Sequence, residues 1–380
     1  MNELQGHWDA RFDKVAEALG QAISDDEEVG AAIAIDVDGE TVVDVWGGHA
    51  DAARTKPWTA DTIVNVWSST KTVTALAGLM LIDRGLIEPG TPVASVWPEF
   101  GANGKERVEF RHLLTHSSGV SGWDQPVIVE DLYDWEKSTA MLAAQAPWWE
   151  PGTASGYHAL THGHLIGEVL RRVTGSTLKQ FVADEIAGPL GADFQIGARP
   201  EDAGRVAEII PAADPMAGIP PMDQWTEQML KTFTGPAPDP TVANTDAWRA
   251  ADIGAVNGHT NARALARILS AISLGGAVDG VRLLRPETID QIFEVQCEGP
   301  DLVLAQHPIR WGLGFGLPNE SIPYVPDEKI CFWGGWGGSW ETMNPDRRTT
   351  IAYVMNRMGA GIEGSERTDR YFRLIYDALP

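Results

Sequence analysis

A chain of 380 residues with 43% hydrophobic and 22% charged side chains can bury a large core in one or two domains. Its formal net charge of −24 excludes nucleic acid and anionic membrane as main partners, since both need a basic surface. The only two cysteines, Cys297 and Cys331, provide neither a disulfide framework nor a cysteine-rich zinc site. Met1 to Ala10 lack the basic start and apolar run of a signal peptide, and no later segment is long and apolar enough to span a bilayer, so a cytoplasmic location is expected.

In chain order, Ala10 to Ile23 carry helical periodicity and end in the acidic run Asp25 to Glu28. Ala31 to Val37 and Thr41 to Trp46 read as strands joined at Asp38-Gly39-Glu40, a hairpin signal. The tetrad Ser68-Ser69-Thr70-Lys71 then heads an apolar run to Ile82, which Asp83-Arg84-Gly85 stops. From Gly85 to about Pro240 short helices alternate with Pro-Gly, Pro-Trp and Pro-Pro loops. Past Asn257-Gly258, Thr260 to Leu274 is an amphipathic helix, and strand signals return over Gly312 to Leu317, Lys329 to Trp333 and Ser339 to Met343. A turn at Asn344 to Arg347, a strand over Thr349 to Asn356 and a helix over Arg367 to Ala378 complete the chain. This order predicts an α+β fold: one antiparallel sheet built from residues 1–85 and 250–380, a mostly helical region over 86–249, and an active site between them.

The tetrad is the main chemical signal. Residues at i and i+3 share a helix face, so the Lys71 amine can approach the Ser68 hydroxyl without backbone strain, and burial on all sides favours the neutral amine, a base. A serine at the first turn also sits among unpaired backbone N–H groups, which favour negative charge on an attacked carbonyl. Ser176-Thr177-Leu178-Lys179 repeats the spacing, but there Gly175-Ser176 reads as a helix N-cap and Lys179 faces water, so that copy is structural.

A serine–lysine pair needs a proton relay and an oxyanion hole. Tyr157 follows the loop Pro151 to Gly156 and is placed to project its phenol into a cleft; a phenol beside an ammonium loses its proton more readily. Taken by itself, Tyr157 reads more readily as helix-start packing. Trp333-Gly334-Gly335-Trp336-Gly337-Gly338 is a glycine-rich strand, a place where a ligand or another backbone comes close. Neither phosphate-loop pattern is present, which removes nucleotide binding. The histidine pairs His112 with His116 and His158 with His162 lack the glutamate of His-Glu-x-x-His and read as structural or surface residues. No Gly-x-Ser-x-Gly elbow occurs.

Ser68-x-x-Lys71, then Tyr157, then Trp333-Gly334-Gly335, in that order, resembles the serine β-lactamase and penicillin-binding protein superfamily. Within it the chain is most similar to the family VIII carboxylesterases, themselves similar to class C β-lactamases. Arg111 to Gly119 and Asn257 to Ala266 also resemble that family, and the likeness covers about residues 10 to 378. The resemblance implies a β-lactamase-like fold with Ser68 as acylated nucleophile, Lys71 and Tyr157 sharing the base role, and the backbone N–H groups of Ser68 and Trp336 as oxyanion hole. Two departures bear on substrate. Tyr157-His158-Ala159 replaces Tyr-x-Asn, and Trp333-Gly334-Gly335, assigned to substrate binding, replaces Lys-Thr-Gly and so removes a cation. The expected activity is hydrolysis of short-chain or aromatic esters, a small-molecule reaction that needs neither cofactor nor metal and involves no nucleic acid or membrane. A β-lactamase, a linear amide hydrolase, a D-aminopeptidase-like enzyme and a catalytically silent binding protein are the alternatives. Loss of Ser68, Lys71 or Tyr157 would mark the last, and all three are present.

Overall fold

The computed structural model describes residues 4–214, 220–361 and 364–379. Nine strands form one antiparallel sheet. In spatial order they are Gln5–Trp8, Glu40–Gly48, Gly30–Val37, Thr349–Met355, Trp340–Asn344, Cys331–Gly334, Gly316–Leu317, Pro308–Trp311 and Cys297–Pro300. The central pair joins the two ends of the chain in a continuous register from Ala31 opposite Met355 to Val37 opposite Thr349. Alanine, isoleucine and valine fill these strands, which are buried on both faces, so strict polar alternation disappears.

One face packs on the helices Asp13–Ser24 and Glu366–Ala378, through Phe12, Leu19, Ile33, Tyr353 and Phe372. The other packs on Ala262–Ser273 and, beyond it, on Thr70–Asp83. Every residue from Thr70 to Ile82 is buried, as its all-round apolar surface requires. A second sheet of three short strands, Val64–Asn65, Gly258–Thr260 and Phe194–Ile196, ties the segment before the nucleophile to the helical region.

Several boundaries differ from expectation for local reasons. Gly312 to Leu317 is not one strand; the chain turns at Gly312–Phe315 between Pro308–Trp311 and Gly316–Leu317, with Gly314 in the left-handed region at φ +91°. Gln5–Trp8 and Cys297–Pro300 lie at the two sheet edges, where a short exposed strand carries no hydrophobic period to read. The first helix begins with a tighter 3-10 turn over Ala10–Phe12, started by the Asp9 side chain.

Candidate active site

Ser68 lies just ahead of the helix Thr70–Asp83, on a turn whose preceding residue, Trp67, has φ +48°. A bulky residue in the left-handed region is strained, so strain sits at the entry to the turn, while Ser69 is right-handed helical and Lys71 approaches Ser68 with the expected i, i+3 geometry. Thr70 holds this turn, its amide and hydroxyl donating to the Trp67 carbonyl at 2.9 and 2.5 Å. The turn leaves Ser68 9% exposed at the floor of a cavity.

The Lys71 amine lies 3.1 Å from Ser68 Oγ, 2.8 Å from the Ala159 carbonyl and 2.9 Å from the Ala255 carbonyl. Carbonyl oxygens only accept, so two N–H groups of Lys71 are committed to Ala159 and Ala255, and in the neutral amine the lone pair is what remains for the Ser68 hydroxyl. Burial holds this amine well below the usual lysine range, which favours its neutral form. Ala159 thus contributes through its backbone.

Tyr157 reaches Ser68 from the other side, its phenol hydrogen-bonded to the serine hydroxyl. Its ring lies under the Lys71 amine, 4.8 Å from centroid to nitrogen. Trp333 Nε1 donates to the phenol oxygen at 3.2 Å. The expected easing of phenol ionisation is not what the surroundings produce. Burial pushes the Tyr157 phenol above its usual range, and the hydrogen bonds from Ser68 and Trp333 oppose it only in part. Resting Tyr157 is therefore a phenol.

The Tyr157 loop is pinned by Asp301, a residue that sequence reasoning missed. Its buried carboxylate accepts from Ser155 Oγ at 2.8 Å, from the Tyr157 amide at 3.0 Å, and from the Val303 and Leu304 amides at 2.9 and 3.0 Å. Burial raises its pKa, and these donors pull it back. A single carboxyl thereby fixes both the phenol and Leu304 in the cavity wall. The local pattern around Asp301 shows only its turn to Val303 and Leu304, because the partners that tie it to the site, Ser155 and Tyr157, lie about 145 positions earlier in the chain.

Gly334 and Gly335 are glycines for close approach. A Cβ on Gly335 would lie 2.2 Å from the Val66 carbonyl, just before the nucleophile, and one on Gly334 would lie 2.2 Å from the Trp340 ring. The strand therefore meets another backbone at Gly335, while Trp333 and Gly334 also line the cavity. Gly335 to Gly338 form a tight turn closed by a 3.0 Å bond, with Gly337 at φ +91°, and Trp336 is at its second position. Among the described residues, neither the Ser68 nor the Trp336 amide donates to a backbone carbonyl, so both N–H groups are free for a ligand oxygen.

The cavity, about 160 Å³, is lined by Trp67, Trp225, Phe233, Trp248, Trp333, Trp336 and further apolar side chains. Among the described residues, Asp239 is its one ionisable wall residue besides Tyr157, and no lysine or arginine lines it. Arg310 is committed elsewhere, bonded to Glu298 at 3.0 Å and to the Pro318 carbonyl at 3.3 Å. His116 stacks on His162 with 4.8 Å between centroids and packs 5.0 Å from Tyr157, behind the site. Burial keeps both rings neutral. Among the described residues no group of three or more histidine, cysteine or carboxylate side chains is placed to hold a metal.

The second Ser-x-x-Lys copy lies apart from all of this. Thr177, not Ser176, caps its helix, accepting from the Gln180 amide at 3.1 Å, and Lys179 reaches the Ala250 carbonyl at 3.4 Å.

Over residues 12–374 the sequence matches the family model described as beta-lactamase. The esterase/beta-lactamase LipL of Mycobacterium tuberculosis H37Rv is 36% identical over 364 residues, covering 93% of this chain and 83% of that protein. The crystal structure of a family VIII carboxylesterase superposes with a TM-score of 0.93 at 38% identity, covering 99% of this chain and all of that one. A penicillin-binding protein homologue from Caulobacter crescentus gives a TM-score of 0.92 at 36% identity, with 99% and 100% covered.

Proposed function

We propose, for a chain that belongs to the beta-lactamase family and is a serine hydrolase acting on esters, that acyl transfer runs through Ser68 with Lys71 as the resting base. The observation that carries this reading is the Lys71 amine, 3.1 Å from Ser68 Oγ and held there by two acceptor-only carbonyls. Ser68 Oγ attacks the ester carbonyl and passes its proton to that amine. The oxyanion is held by the Ser68 and Trp336 amides. As the ester C–O bond breaks, the departing alkoxide takes the Tyr157 proton, and the Lys71 ammonium refills the phenol. A water then repeats the cycle on the acyl-enzyme and frees the acid. The apolar, cation-free cavity supports neutral esters with short-chain or aromatic acyl groups. A fluorophosphonate probe followed by peptide mass spectrometry tests the nucleophile: the adduct is expected on Ser68, and an adduct on Ser176 or another serine would overturn it.

Lys71 and Tyr157 exchange one proton with Ser68, so their contributions should not add. Tyr157→Phe and Lys71→Ala are each expected to lower kcat by at least about 10²-fold, the usual scale of acid–base contributions, and the double variant to cost little more than the worse single one. The activity of wild type should fall as pH drops, because protonating Lys71 removes the base. Steady-state kinetics over pH 6 to 9 check both points. Wild-type kcat in Tyr157→Phe across that range would reduce the phenol to packing.

A further inference from the structure

Glu341 lies on the strand Trp340–Asn344, opposite Trp333 in register, and is 0% exposed. Its neighbour Trp340 packs among the side chains of the outer helices, so Glu341 points to the other face of the sheet, toward the nucleophile helix. The polar groups facing it there are the hydroxyls of Ser69 and Thr72. Both hydroxyls lie close enough to act on the carboxyl, but among the described residues no hydrogen bond of ordinary geometry is formed to either carboxyl oxygen.

The two hydroxyls explain why. Ser69 Oγ donates to Ser339 Oγ at 3.1 Å, and Ser339 Oγ donates onward to the Val66 carbonyl at 3.0 Å. Thr72 Oγ1 donates to the Ser69 carbonyl at 2.6 Å. Both protons are committed, so each hydroxyl turns only lone pairs toward Glu341. Among the described residues no cation is paired with it: the Lys71 amine is taken up by Ser68, Ala159 and Ala255, and a titratable group that feels this carboxyl is the Tyr157 phenol. Across the sheet its partners are Trp333 and Ala352, both uncharged. A carboxylate in this position would be a buried charge without a partner, whereas a carboxylic acid finds acceptors for its proton.

We propose that Glu341 is held as a neutral carboxylic acid beneath the nucleophile, donating its proton to a Ser69 or Thr72 oxygen, and that its ionisation weakens catalysis at alkaline pH. This rests on the reading of Ser68 as the acylated residue. An ionised Glu341 puts a negative charge, poorly screened by the interior, behind a site that must itself develop negative charge on the attacked carbonyl oxygen. It also makes the Tyr157 proton harder to release. Burial pushes the Glu341 carboxyl up to about 8, which places the change within the range of an ordinary pH profile. Glu341 is a positioning residue in this scheme: it touches no substrate atom and acts on the charge balance of the groups that do.

Two measurements test it. Infrared difference spectra of wild type between pH 7 and 9 should lose a protonated-carboxyl carbonyl band that is missing from Glu341→Gln; a spectrum identical in the two proteins overturns the neutral acid. The kcat/KM of wild type on a p-nitrophenyl ester should fall at least about fivefold over the same interval, as expected for one unscreened charge near the reacting centre. In Glu341→Gln that fall should disappear. Glu341→Met, of similar length and without polar atoms, should behave the same way and serves if the amide does not fold. An alkaline decline that persists in both variants overturns the proposed effect on catalysis. The infrared band does not depend on turnover, so failure of the Ser68 assignment would leave it in place and show instead in the fluorophosphonate adduct.

Discussion

Replacing Ser68 with alanine is expected to lower kcat for a p-nitrophenyl ester by about 10³ to 10⁶, the scale of other nucleophile deletions. The fold should persist. Ser68 bonds through its side chain to Lys71 and Tyr157, and without it Lys71 keeps both carbonyl partners while Tyr157 keeps its bond from Trp333. What remains is a cavity with its oxyanion donors but no oxygen to attack the ester. Ser176→Ala is the matched control, since it removes the serine of the other Ser-x-x-Lys copy, which borders neither the cavity nor Lys71. Its kcat should equal that of wild type. Thermal melting of both variants separates lost chemistry from lost structure, and turnover surviving in Ser68→Ala would remove the serine from the reaction.

The second large effect is selectivity between ester and lactam. The kcat/KM for a short p-nitrophenyl ester is expected to exceed that for a chromogenic cephalosporin by at least about 10³, which corresponds to roughly 4 kcal/mol. An ester needs less leaving-group activation than an amide, so two oxyanion donors, each worth roughly 3 kcal/mol, can suffice. A cephalosporin also brings a carboxylate into a cavity whose walls are indole, phenyl and aliphatic surface, with Asp239 as a like charge. Burying that carboxylate unpaired costs several kcal/mol. Arg310, on the strand Pro308–Trp311 of the same sheet, is held by Glu298 and the Pro318 carbonyl and is not part of the cavity wall. Steady-state kinetics on the two substrates decide the matter, and comparable values would mean that a cation does reach the bound carboxylate.

How far the sequence carried this reading depended on the range of the interactions concerned. Ser68, Lys71 and the apolar helix behind them are one local pattern, and the structure brings the lysine within 3.1 Å of the serine. Tyr157 and Trp333 were legible as candidates from their glycine-rich settings, but their mutual bond at 3.2 Å, across 176 positions, was not. The hairpin of Gly30–Val37 and Glu40–Gly48 was readable because its turn is short and its residues β-branched. The edge strands were not, since pairing alone defines them. Trp67 is the sharpest case: no propensity places tryptophan at positive φ, and only the contacts around the turn hold it there. Asp301 and Glu341 were unreadable for a related reason, because a carboxyl's environment is made by distant chain segments that no local window contains.

The central seam of the sheet sets an order of events during synthesis. Gly30–Val37 finds its neighbour on one side at once, in the adjoining hairpin, but the neighbour on its other side is Thr349–Met355, more than three hundred positions later. Until the ribosome has released that stretch, a row of backbone amides and carbonyls on an apolar strand waits without a partner, the condition in which nascent chains aggregate. The strand that brings Trp336 to Ser68 is delivered in the same late stretch. Such distant pairing also makes for slow folding, since the chain must close a long loop before it gains the contacts that reward it. The architecture therefore withholds hydrolytic competence from a partly made chain, and exposes it longest to the need for chaperones while it is being completed.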